Sequence, residues 1–268
     1  MPELPEVDHC GRALSRWTAG RRIVAVELHD GRSVRASRTA RPSDGREDGE
    51  SALREVVLAA APGPMERHGK RLLWRFGDRA LLLHLGMTGR WTRLPSPHAK
   101  VTLRLDDGAV LTFADPRLLG GIVPTTLADG AAMLHDGLGP DALRDPLPPL
   151  HGKRAVKVVL MDQAVVAGLG NLHAAEALWR AGIAPDRTAE SVTGERHTRL
   201  GIAVREQLDF ARRLLDAEEE VTYVEDAGAP NPFPVYQRQG EACPRCGGTI
   251  ERFVQAGRGT WWCRGCQK

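Results

Sequence analysis

Apolar positions follow different rhythms along the chain, and each change of rhythm marks a change of structure. From Pro5 to about Thr18 they recur at helical spacing, as Val7, Cys10, Leu14 and Trp17, and Gly20 is placed to stop the helix. Val24, Val26 and Leu28 then alternate with Ala25 and Glu27, the period of a half-buried strand. Residues 31–51 are rich in Arg, Ser, Gly and Asp and have no apolar period, which predicts a loop. Four strand-like runs follow at 71–76, 80–85, 100–105 and 109–113, with turn signals at Gly77-Asp78 and Asp107-Gly108. Short strands at regular spacing predict a sandwich or barrel.

From about residue 131 to 215 the alternation is gone. The spacing is helical, with breaks at Gly139-Pro140, at Pro146-Leu147-Pro148-Pro149 and at Gly182-Ile183-Ala184-Pro185, and predicts a compact helical module. Residues 218–234 are acidic and then Gly- and Pro-rich, as in a linker or surface loop, and a small cysteine-bearing module runs to Lys268. The expectation is an α+β multi-domain chain divided at 1–125, 131–222 and 236–268.

Composition narrows the class. With 26% charged and 42% hydrophobic residues the chain is an ordinary globular one, and its 268 residues can bury a sizeable core. A formal net charge of +3 permits a nucleic-acid partner without demanding one, so a DNA-binding face has to come from local clustering. The apolar runs are too short for a membrane span, and acids stand near the N-terminus where a signal peptide carries bases, so a cytoplasmic protein with no membrane partner is expected.

Cysteine placement adds a metal. Cys243 and Cys246 are followed after sixteen residues by Cys263 and Cys266, two knuckles whose spacing closes a four-thiolate site for one structural zinc. Cys10, on the apolar side of the first helix, reads as a small buried hydrophobe. The segment 236–268 carries six basic and two acidic side chains, and Arg258 stands between Gly257 and Gly259, where it can reach a phosphate. Gly168-Leu169-Gly170-Asn171 leads into a helix and presents backbone N–H groups to an anion. His84-Leu85-Gly86-Met87-Thr88-Gly89 ends an apolar strand with one polar and one apolar contact for a duplex.

The first six residues, Met1-Pro2-Glu3-Leu4-Pro5-Glu6, read two ways. Pro5 and Glu6 suit a helix start. Equally, removal of Met1 would leave Pro2 as a free secondary amine beside two carboxylates, a nucleophile able to attack a sugar carbon and form an iminium.

Taken together, the opening Pro-Glu-Leu-Pro-Glu-Val, Gly69-Lys70 before a strand, the His84–Gly89 turn, Asp115-Pro116-Arg117, Gly168-Leu-Gly-Asn-Leu172 and the four-cysteine ribbon closely resemble the formamidopyrimidine-DNA glycosylase/endonuclease VIII family. The motifs occur in the family's order over nearly the whole chain. The resemblance implies an N-terminal β-sandwich with a leading helix, a helix-two-turns-helix domain, and a zinc ribbon. The implied protein is a monomer acting on damaged double-stranded DNA as a bifunctional glycosylase and lyase.

Residue by residue, the resemblance implies that Pro2 attacks C1′, Glu3 and Glu6 move protons, and Lys70 belongs with them. It implies that Lys70, His84, Asn171 and Arg258 grip phosphates, and that Met87 and Arg117 fill the gap left in the duplex. Where the family usually continues Asp-Pro-Arg with Arg-Phe-Gly, this chain has Leu118-Leu119-Gly120, an aliphatic wedge in place of an aromatic one. Residues 218–234 are also shorter than the family's loop over an everted oxidised purine. Lesion choice therefore stays open among oxidised purines, oxidised pyrimidines and unusual adducts. The competing class is a catalytically weak DNA-damage-binding protein, against which the joint presence of Pro2, Glu3, Glu6 and Lys70 argues.

Overall fold

The computed structural model describes residues 2–37 and 48–268. Contacts divide the chain into two units, one of residues 1–136 with 215–229 and one of residues 137–214 with 230–268.

The first unit begins with helix α1 (Leu4–Trp17), whose buried stripe is Val7, Cys10 and Leu14. Eight strands follow: β1 (Ile23–Leu28), β2 (Met65–His68), β3 (Arg71–Phe76), β4 (Arg79–His84), β5 (Arg90–Thr92), β6 (Ala99–Leu105), β7 (Val110–Ala114) and β8 (Gly121–Thr126). They make two antiparallel four-stranded sheets, ordered β1-β6-β7-β5 and β2-β3-β4-β8. One apolar core takes Val26, Val101, Leu103 and Phe113 from the first sheet and Leu72, Trp74, Leu83 and Ile122 from the second, the packing of a β-sandwich. Its aromatic centre is Trp74 meeting Trp91 edge-on at 6.0 Å. The α1 stripe joins this same core, which fixes the helix beside the sheets. Helix α2 (Gly49–Val57) lies inside the stretch expected to be loop. It buries Ala52, Leu53, Val56 and Val57, and residues 38–47 of that stretch lie outside the described residues. Helix α3 (Leu127–His135) covers the other face of the second sheet through Leu134 against Leu73, Ala80, Leu82 and Val123.

The second unit holds α4 (Val156–Leu160), α5 (Asn171–Ala181) and α6 (Gly194–Asp216, with its last two residues in the first unit), followed by the hairpin β9 (Glu251–Gln255) and β10 (Arg258–Trp262). Helix α5 is buried along nearly its whole length and closes on Gly182 in the left-handed region. Its end carries the ribbon: Lys268 donates its N–H to the Gly182 carbonyl at 3.1 Å, and the Arg245 guanidinium stacks on Trp179 at 4.3 Å. No described helix is long and apolar enough to cross a membrane.

Candidate active site, phosphate contacts and metal centre

Residues Pro2, Glu3 and Glu6 come together because α1 begins with a capping box. The Glu3 N–H donates to Glu6 Oε2 at 2.9 Å, and the Glu3 carboxylate accepts the Glu6 N–H in return. Pro2 is buried, Glu3 is 2% exposed and Glu6 9% exposed, so the proline stands next to two sheltered carboxylates that α1 holds rigidly. The helix-start reading and the site reading of this stretch are one arrangement. Lys70 lies half-buried in the turn between β2 and β3, after Gly69 at φ 54°. Buried Arg67 ties that turn to α1, donating from Nε to Asp8 at 3.3 Å and from Nη1 to the Gly69 carbonyl at 3.0 Å.

His84 ends β4, opposite Arg71 on one side and Gly121 on the other. The Gly86 N–H donates to its Nδ1 at 3.2 Å, which leaves the ring proton on Nε2, free to donate outward. The surrounding protein, and then the Arg35 guanidinium, hold His84 below the ordinary imidazole range, which keeps the ring neutral near pH 7.

Met87 follows Gly86 at φ 64° and keeps 36% of its surface exposed. A Cβ on Gly86 would come within 2.4 Å of the Leu119 and Gly120 backbone, so two loops pack main chain to main chain here. The buried Asp115 carboxylate joins them, accepting from the Thr88 hydroxyl at 2.6 Å, the Gly120 N–H at 2.7 Å and the Arg117 N–H at 3.3 Å. Arg35 adds hydrogen bonds to the Leu119 and Gly120 carbonyls. Exposed Arg117 is followed by Leu118 at φ 53°, a conformation costly for a leucine and held by this network.

In the second unit Asn171 opens α5, with Gly170 as its cap. Its Oδ1 accepts from the buried Lys157 ammonium at 2.6 Å. The same ammonium donates to Thr260 Oγ1 at 2.8 Å and to the Gly259 carbonyl at 3.3 Å. Lys157 thus joins Asn171 to the strand that begins at Arg258. Arg258 itself is exposed at the end of a two-residue turn, Ala256-Gly257, where both φ angles are positive, the turn that suits a twisted hairpin. The sequence reading missed Lys157. Its signal was a lone charge inside Val156-Lys157-Val158-Val159-Leu160, which becomes fully buried.

The four cysteine Sγ atoms lie within 4.8 Å of one another. The Cys246–Cys263 and Cys243–Cys266 pairs stand 3.5 and 3.8 Å apart, far beyond a disulfide bond and near the ~3.8 Å edge of a tetrahedron with Zn–S bonds of about 2.3 Å. Burial and then the neighbouring thiols push Cys266 up to about 12, the behaviour of a donor set that needs a cation to be fully ionised. The site holds one structural zinc, as expected, with no ligand position left for chemistry.

Glu176, inside α5, links helix and ribbon: its Oε1 accepts the Val235 and Tyr236 N–H groups at 2.8 and 2.7 Å. Burial, against the pull of these hydrogen bonds, raises its pKa from 4.5 to about 7. A raised folded-state pKa gives stability that is complete below pH 4.5 and lost as pH rises through about 7, by up to roughly 3 kcal/mol. Glu176→Gln keeps the acceptor and removes the charge. Thermal melting of the zinc-loaded proteins should therefore give equal stability near pH 4.5 and a more stable variant above pH 7. Parallel pH profiles would contradict this account of the carboxylate.

Comparison with known proteins agrees with these features. Residues 1–122 match the formamidopyrimidine-DNA glycosylase N-terminal domain, 138–216 the H2TH domain of the same proteins, and 240–268 the zinc finger found in FPG and IleRS. The chain is 39% identical to the formamidopyrimidine-DNA glycosylase of Acidiphilium cryptum and 37% identical to that of Laribacter hongkongensis, each match covering 100% of both chains. Among solved structures, MutM (FPG) from Thermus thermophilus matches with a TM-score of 0.80 and 33% identity over 99% of this chain and 98% of that one. A MutM solved in complex with carbocyclic 8-oxo-G containing DNA matches with a TM-score of 0.83 and 26% identity over 100% of both. Lactococcus lactis FPG (MutM) in complex with a FAPY-dG containing DNA gives 0.83 and 26% over 99% of this chain and 100% of that one.

Proposed function

This chain belongs to the formamidopyrimidine-DNA glycosylase family, and from that premise we propose that it excises oxidised bases from duplex DNA and cuts the strand through a Schiff base on Pro2. The observation that carries the reading is the capping box that sets Pro2 against the Glu3 and Glu6 carboxylates. With Met1 removed, the Pro2 nitrogen lone pair attacks C1′ of the damaged nucleotide, which has been turned out of the stack. The C1′–N bond breaks with its electrons going to the base, and Glu3 relays the proton that the base takes up. The iminium then acidifies the C2′ proton, so the 3′ phosphate leaves by β-elimination and the 5′ phosphate by δ-elimination. Glu6 serves proton transfer, and Lys70 assists from the turn that Arg67 holds to α1.

His84 donates to a phosphate through its Nε2–H, and Lys70, Asn171 and Arg258 grip others. Met87 and Arg117, on loops joined at Asp115, fill the gap in the duplex. The division of labour follows the sequence-drawn parts at 1–125, 131–222 and 236–268, with a monomer acting on damaged duplex DNA in the bacterial cytoplasm. The bacterial glycosylase relatives and the DNA-bound structural neighbours support this.

A panel of duplexes carrying oxidised purines or oxidised pyrimidines opposite each base tests the reading. The expected result is excision from the oxidised-purine duplexes with β,δ-elimination products. Because the wedge is aliphatic at Leu118 and Leu119, discrimination among opposite bases should be weak, within about tenfold for a site with no polar readout. Binding without excision of any lesion would contradict it. The pinned 215–229 segment favours a second reading, preference for oxidised pyrimidines, which the same panel decides.

A further inference from the structure

The segment that leaves α6 does not lie loose. Residues 215–229 are grouped with the first unit, where Leu215, Val221 and Tyr223 make their own small apolar cluster. Three polar attachments fix the segment to β5 and the turn before it. The Glu220 carboxylate accepts the Arg93 N–H at 2.8 Å. Arg90 donates to Asp226 Oδ1 at 2.8 Å, and the other Asp226 oxygen accepts the Tyr223 N–H at 2.9 Å. The Tyr223 hydroxyl donates to the Gly89 carbonyl at 2.6 Å, and the Arg90 guanidinium covers the Tyr223 ring at 4.4 Å.

Tyr223 is 3% exposed, and its neighbours include Cys10 and Glu6 of α1. Burial first, then the charges on that side, keep its hydroxyl protonated, so it stays a donor throughout the working range of pH. The hydroxyl is thus held between two parts of the site. On one side is the helix that carries Glu3 and Glu6. On the other is Gly89, the last residue of the turn that presents Met87. That turn is tight, since its Gly89 N–H donates to the Leu85 carbonyl at 2.9 Å and a Cβ on Gly89 would meet that oxygen at 2.4 Å. A displacement of Gly89 therefore carries Met87 with it, and through Thr88 and Asp115 reaches the Arg117 loop as well.

We propose that Tyr223, clamped by Arg90 and Asp226, is a positioning residue that sets the Met87 turn against the catalytic helix and so couples filling of the duplex gap to delivery of the damaged nucleotide. The proposal rests on the reading of Met87 as a gap-filling side chain. It assigns a task to the 215–229 segment: it acts as a fixed strap, tied at Glu220, Tyr223 and Asp226, instead of a cover that folds over the lesion.

Eversion of a nucleotide that still carries its base costs stacking and pairing that an abasic site has already lost. Weakening the strap should therefore slow base excision far more than strand cleavage at a preformed abasic site. Tyr223→Phe removes the one hydroxyl and keeps the buried ring, and Arg90→Gln loosens the clamp without touching Tyr223. Single-turnover rates on a duplex with an oxidised purine and on the same duplex with an abasic site are the readout. A 2-aminopurine next to the lesion reports unstacking in the same experiment. Both variants should excise the base about tenfold more slowly, with a matching delay in the fluorescence rise, and cleave the abasic duplex within about twofold of the parent. Equal losses on the two duplexes, or no loss on either, would overturn the proposal. A parent protein inert on both duplexes would overturn the functional reading and this proposal with it. A parent that cleaves both, with variants unchanged, overturns the strap alone.

Discussion

Replacing Pro2 by glycine will lower strand cleavage and borohydride trapping by at least about a hundredfold, roughly 2.7 kcal/mol of transition-state stabilisation, while leaving the fold intact. Glycine keeps an N-terminal amine, so the variant removes neither the charge nor the chain end. It removes the secondary amine, whose attack yields an iminium that carries its positive charge without needing a proton. It also removes the ring that is buried next to Glu3 and Glu6. The capping box stays, because the Glu3 N–H and the Glu6 N–H lie outside the substitution. An unchanged melting temperature with lost trapping therefore separates chemistry from folding. Undiminished trapping by Pro2→Gly would remove the proline from the mechanism. The same logic makes cleavage of Met1 a condition of activity, since an acylated Pro2 nitrogen has no lone pair to offer.

Stripping the zinc will have the second large effect, on binding. Structural zinc sites contribute an apparent 10–16 kcal/mol in small domains, and a two-stranded hairpin is marginal alone. The ribbon's own apolar cluster is small, with Trp179, Val235 and Ile250 around the cysteines. Chelation should thus unfold β9 and β10, taking away Arg258 directly and freeing the Lys157 ammonium from Thr260 and Gly259, which also unsettles Asn171. Loss of two phosphate contacts lowers the slope of log affinity against log salt by about two. Affinity at 0.1 M salt should fall at least about tenfold, and zinc should restore it. Retention of both affinity and slope in the metal-free protein would show that the ribbon does not grip DNA.

Much of this was legible in residue order, and what was not has identifiable causes. The runs at 71–76 and 100–113 became β3, β6 and β7 because both sheets bury one face in a shared core. Three strands escaped notice. Strand β2 reads Met-Glu-Arg-His with a single apolar residue, β5 has only three residues, and β8 contains Pro124, which its place at the edge of the second sheet tolerates. Helix α2 was hidden in a polar stretch and is held by four apolar side chains facing the sandwich. At the site, the residues that touch the duplex in this reading sit in compact motifs and announce themselves. Those that hold them in place do not: Tyr223 finds Gly89 across 134 residues and Lys157 finds Thr260 across 103, distances over which no local pattern survives.

The central claim is that the Pro2 nitrogen forms the covalent bond to DNA. Reducing the reaction with borohydride on an abasic or oxidised-purine duplex, digesting the adduct and locating the deoxyribose remnant by mass spectrometry tests it most directly. The remnant should sit on the amine of a peptide beginning Pro2-Glu3-Leu4, and on no other. A remnant on a lysine such as Lys70, or adduct formation by chains that retain Met1, would contradict the account.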